Sequence, residues 1–196
     1  MTARSRSTIA VSFAVYLGLL AWLVLWKLEV PWVGTAGVRV LKLVPFVAAG
    51  GEGASDPVEV VGNLLVFVPF GLFLALLAPR WSWWRVAGVV GAASLGLEVG
   101  QYALAVGSAD LTDVIANTAG GVTGAALLAL ARRALRTRTQ AVMARACAIG
   151  TAVAVVATGV VVALPLHFAP PDVGVGLHRS GQPRMVDAPT GADPGG

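Results

Sequence analysis

The sequence predicts an all-α membrane protein: a polytopic helical bundle with five transmembrane helices, N-terminus cytoplasmic and C-terminus extracytoplasmic. Three observations lead there. Hydrophobic residues make up 57% of the 196 positions and charged residues only 12%, a balance outside that of ordinary soluble globules. The apolar residues fall into five runs, each near the roughly 20 residues a helix needs to cross hydrocarbon. The basic residues collect on one side when those runs are threaded back and forth through a bilayer.

The expected spans are 8–26, 58–78, 84–106, 113–131 and 143–167, the fourth being among the shortest. The first follows Arg4 and Arg6, as the core of a signal peptide would. Its apolar core is long, however, and it ends in the bulky "AWLVLWKLEV" with no small-residue cleavage site, so it reads as a retained helix. The organisation that follows is a four-helix membrane domain (8–131), a basic cytoplasmic loop (132–142), a fifth helix (143–167) and a disordered extracytoplasmic tail (168–196). That tail is rich in proline and glycine and lacks apolar periodicity. In the long connection after the first span, "VRVLKLVPF" is expected along the membrane interface and "AAGGEGASDP" as a turn region.

Charge sets the orientation. With the N-terminus inside, the cytoplasmic side receives Arg4, Arg6, Arg80, Arg85, Arg132, Arg133, Arg136, Arg138 and Arg145. The other side receives Lys27, Arg39, Lys42, Arg179 and Arg184, together with every acid except Glu98. The positive-inside rule therefore favours N-in and C-out, and it accounts for the high pI without nucleic acid as a partner. Trp81, Trp83 and Trp84 fit an inner interfacial belt, and Trp26 and Trp32 an outer one. A single cysteine, Cys147, excludes an intrachain disulfide and a multi-cysteine metal site.

Against this apolar background, "EVGQYALAVGSADLTDVIANTAGG" (98–121) carries a glutamate, a glutamine, two aspartates and an asparagine. Glu98 and Gln101 are three apart and share a helix face, and Asp113, Asn117 and Gly124 follow the rhythm of another. Asn63 and Phe67 repeat that spacing in the second span, with Pro69 freeing a backbone carbonyl nearby. Gly96 and Gly100 form a small-xxx-small strip expected to admit a neighbouring helix. Under the N-in topology, Asn63, Glu98, Gln101, Asp113 and Asn117 all fall in the outer third of the membrane. A carboxylate in hydrocarbon costs at least about 2.5 kcal/mol, so Glu98 is expected to face the bundle interior or a wet cavity. The plainer reading makes the amides interhelical glue and has Asp110 and Asp113 cap the fourth helix.

The ordered pieces "LVPF" (43–46), "NLLVFVPFG" (63–71), "EVGQ" (98–101) and "DLTDVIANTAGGVTG" (110–124) resemble the VanZ-like family of bacterial membrane proteins. The resemblance covers about residues 10–131. It implies a multi-pass protein of the bacterial cell membrane and a cell-envelope context, the family being named for a relative linked to resistance to the glycopeptide teicoplanin. Similar sequences carry an arginine shortly before the first aspartate, whereas Gly107 and Ser108 stand there in this chain. A shared proton, a cation, or Arg39 or Lys42 from the outer loop is the expected compensation.

Two main functions fit. The first is a non-enzymatic envelope protein whose site, formed by Asn63, Glu98, Gln101, Asp110, Asp113 and Asn117, takes an amphiphile. That amphiphile would be a membrane lipid, a lipid-linked cell-wall intermediate or a lipophilic glycopeptide, with no cofactor. The second is an intramembrane enzyme with Glu98 as general acid or base, and Glu98, Asp110 and Asp113 as candidate ligands of a divalent cation. No nucleophile or zinc motif supports it. A small transporter is a further alternative, without evident inverted repeats. The sequence leaves the oligomeric state open.

Overall fold

The structure, a computed structural model, describes residues 2–34, 41–46 and 56–164. These residues are mostly helical. Helix α1 spans Ala3–Trp26, α2 Pro57–Leu77, α3 Trp83–Leu104, α4 Leu111–Leu135 and α5 Thr139–Ala163. Arg39, the "AAGGEG" stretch, His167 and the tail lie outside the described residues.

The ends of the helices follow local chemistry. Thr2 caps α1 by accepting from the Ser5 backbone N–H, and Asp56 caps α2 by accepting from Val58 N–H, with Pro57 at the first helical position. Helix α1 closes on Lys27 and α3 on Ala105, both in the left-handed region (φ 49° and 53°). Pro69 removes one donor inside α2. One turn away, the Tyr16 hydroxyl donates to Val66 O at 2.8 Å, tying α1 to the interrupted stretch.

Glycine governs how α2 and α4 meet. A Cβ on Gly71 would run into the Gly121 carbonyl, one on Gly120 into the Leu64 carbonyl, and one on Gly124 into the Val68 carbonyl. The two backbones therefore touch along a seam that admits no side chain, the arrangement small residues permit between membrane helices. The strip expected to serve this purpose on α3 does not: Gly96 faces open space and Gly100 meets only the Leu25 side chain. An aromatic group from α1 and α2 packs beside the seam, with Phe13 edge-on to Phe70 at 5.4 Å and stacked on Phe73 at 5.2 Å.

Three features differ from the sequence reading. The segment 132–142 is not a loop, because Arg132 and Arg133 sit in the last turn of α4 and one 3₁₀ turn, Arg136–Arg138, leads directly into α5. Of the arginines read as a connection, Arg132 and Arg133 belong to the end of α4, where cations complement the C-terminal dipole, and Arg136 and Arg138 to the 3₁₀ turn. Arg136 (φ 47°, ψ −116°) breaks the run. Helix α5 then returns beside α1, placing Ala144 and Cys147 in one cluster with Ile9, Phe73, Leu76 and Leu128. Second, α4 is not among the shortest helices; at 25 residues it equals α5. Third, the fold is not purely helical. Leu41–Lys42 (β1) pairs in parallel with Ala109–Asp110 (β2), in the register Leu41 to Ala109 and Lys42 to Asp110. Strands of two residues carry no periodicity that a sequence reading can detect.

The described part of the stretch expected to lie along the interface, 41–46, is therefore fixed to the α3–α4 connection and the start of α4. The Phe46 N–H donates to Thr112 Oγ1 at 3.0 Å, and the Gly34 N–H donates to Leu104 O at 2.9 Å. Among the described residues, three helical runs are long and apolar enough to cross a membrane: Ala3–Trp26, Pro57–Leu77 and Leu111–Ala163. Their outward faces carry exposed Val11, Val61, Leu65, Leu127, Leu130, Ile149, Val153 and Val156, a surface too apolar to suit water.

Candidate functional site

The C-terminal ends of α1 and α3 and the N-terminal ends of α2 and α4 surround one cavity of about 300 Å³. Each helix contributes polar atoms for a local reason. Helix α4 begins where Asp110 accepts from the Thr112 N–H at 2.7 Å, which fixes the first turn and sets Asp113 and Asn117 on its inward side. Helix α3 carries Glu98 and Gln101 one turn apart near its end. Helix α2 supplies Asn63 and, one turn earlier, Glu59. Lys27 enters from the end of α1.

Five of the six residues picked from sequence line this cavity: Asn63, Glu98, Gln101, Asp113 and Asn117. The sixth, Asp110, does not. Its side chain caps α4, while its own N–H donates to Glu98 Oε2 at 2.9 Å. Glu98 is thus held in place from the α3–α4 connection although it is only 3% exposed. Gln101 Nε2 donates to Val24 O at 2.9 Å, joining α3 to α1. Asp113 accepts from the Asn63 side chain, joining α4 to α2. Asn117 Nδ2 donates to Ser94 Oγ at 2.8 Å, joining α4 to α3.

The site is acidic. Glu98 lies in the negative fields of Asp113, Asp110 and Glu59. Asp113 lies in those of Glu59 and Asp110, opposed by Lys42. Lys42 is 8% exposed beside the equally buried Asp110, so the described cation of the outer loop sits where charge compensation is needed. Among the described residues, no three acidic, histidine or cysteine side chains come together in a way that would hold a metal ion. The proposed ligand trio of Glu98, Asp110 and Asp113 is not assembled, because the Asp110 carboxylate is turned to its own helix.

Sequence reasoning missed Glu59, Lys27 and Ser94. Glu59 precedes Asn63 by one helical turn and shares its face. Lys27 read only as a topology marker, and Ser94 was not singled out.

Fold and cavity together define an integral membrane protein of helical-bundle type, with an open cavity between helix ends into which several polar side chains converge. The family model described as VanZ/LLP1 matches residues 13–132, more than half of the chain, and the chain belongs to the VanZ/LLP1 family. It is similar to Protein VanZ of Enterococcus faecium, at 36% identity over 122 residues covering 61% of this chain and 73% of the relative. No solved structure matches it. The matched segment runs from the middle of α1 through most of α4 and includes every cavity residue; α5 lies beyond it.

Proposed function

We propose that the chain crosses the bacterial cell membrane five times, N-terminus inside, and that its cavity receives the polar headgroup of an amphiphile from the outer leaflet. The amphiphile is a lipid, a lipid-linked cell-wall intermediate or a lipophilic glycopeptide, the last in keeping with the teicoplanin-resistance context that the family name implies. The observation carrying this reading is that five polar residues from three helices, chosen for their depth, line a single cavity. The arginines support the orientation. Arg4, Arg6, Arg80, Arg132, Arg136 and Arg145 line clefts at the other ends of the helices. The reversal at Arg136 supports counting α4 and α5 as separate spans. Metal-assisted intramembrane catalysis draws no support from an acidic trio that is not assembled.

Native mass spectrometry of the purified protein tests the proposal. The wild type is expected to retain a co-purifying amphiphile that Glu98→Gln releases. An empty wild type, or equal retention by both, rejects it.

A further inference from the structure

Asn117 shows what the cavity lacks. It is 3% exposed, and its Nδ2 is committed to Ser94. Its Oδ1 is buried with no hydrogen-bond partner, on a residue that lines the cavity. A buried acceptor left in this state calls for a donor. The neighbouring side chains do not provide one. As carboxylates, Glu98, Asp113 and Glu59 can only accept. Asn63 is engaged with Asp113, and Gln101 with Val24 O. Lys27 ends α1 on an exposed position at the rim.

A hydrogen-bond donor satisfies Asn117, and one that also carries positive charge suits the acids, of which Lys42 offsets Asp113 but not Glu98. A phosphate or carboxylate entering here would meet Glu98 and Asp113 with like charge. A primary ammonium brings three N–H donors and one positive charge. We propose that the cavity binds a primary ammonium group, with Asn117 Oδ1, Glu98 and Asp113 as its acceptors. The group arrives on a lipid headgroup or on a free amine in solution. This rests on the headgroup reading above and narrows it: a quaternary ammonium has the charge but no N–H for Asn117.

The full chain is reconstituted in nanodiscs containing equal parts of phosphatidylethanolamine, phosphatidylcholine and phosphatidylglycerol, and retained lipids are counted by native mass spectrometry. Phosphatidylethanolamine is expected to be retained about tenfold over phosphatidylcholine, the scale of one hydrogen bond to a charged donor. Asn117→Leu and Glu98→Gln should each erase that preference; Gln keeps an acceptor for the Asp110 N–H, so this variant remains informative if Asn117→Leu does not fold. A second arm adds ethanolamine to protein in pure phosphatidylglycerol discs and follows the unfolding midpoint. Stabilisation there without lipid preference assigns the ammonium to a soluble amine and upholds the chemistry. Equal retention of all three lipids with no ethanolamine effect overturns the ammonium but leaves the headgroup reading standing. No retained lipid of any kind, with no ethanolamine effect, overturns both.

Discussion

Glu98 is held by a single backbone donor, the Asp110 N–H, and its replacement separates two roles. Glu98→Ala leaves that buried donor without an acceptor, a loss of about 1–3 kcal/mol, whereas Glu98→Gln keeps an oxygen in place and costs less. Thermal unfolding in detergent should give a lower midpoint for Ala than for Gln; equal midpoints would show that the Asp110 N–H does not depend on Glu98. Asp110 is the second residue with a separable task. Asp110→Ala removes the α4 cap at about 0.5–2 kcal/mol, and Asp110→Asn restores most of it, read by the same midpoint. Residues such as Glu98 and Asn117 were legible in the sequence because a polar atom in an apolar helix is costly and must be turned inward. Ser94 was not legible, since a serine hydroxyl bonds to its own helix as readily as to a neighbour and carries no comparable penalty. Glu59 was hidden for a different reason: an acid in a first helical turn is already explained by the dipole.

Helix existence and approximate limits could be read from apolar runs, because span length is fixed by the bilayer. Which helices touch most closely could not. The sequence offers small-residue spacing on α3 as well as on α4, and only the folded arrangement puts Gly71, Gly120 and Gly124 against carbonyls while leaving Gly96 open. That difference is measurable. Gly124→Ala forces α2 and α4 apart and should cost about 1–3 kcal/mol. Gly88→Ala, whose new methyl meets nothing within 4 Å, should be neutral or gain up to about 1 kcal/mol from helix propensity. The unfolding midpoint should therefore fall for Gly124→Ala and not for Gly88→Ala, and an unchanged midpoint in Gly124→Ala would mean that the seam is not close-packed. The β1–β2 pairing escaped the sequence for want of length. Even so, it brings Lys42 to Asp110, near the position where the family's usual arginine is missing.

At the scale of the whole molecule, polarity along the bundle axis organises the described residues: arginines at one end, acids and the cavity at the other. The charges alone make this polarity readable, since it follows from counting basic residues on alternate connections. Cysteine labelling in intact cells checks it, using a Cys147→Ser background because the native thiol is buried. Ser108→Cys is expected to react with a membrane-impermeant maleimide added outside, and Thr137→Cys only after the membrane is opened. The reverse pattern would place the cavity in the cytoplasmic leaflet. The short turn between α4 and α5 carries a further consequence, for how the chain is made. Four arginines, Arg132, Arg133, Arg136 and Arg138, crowd the tip of that helical hairpin. Such a tip is costly to drag through lipid during synthesis. In the orientation proposed above, helices α4 and α5 would enter the bilayer with their shared end held back in the cytoplasm, and this retention would settle on which side the cavity opens before the cavity itself has formed.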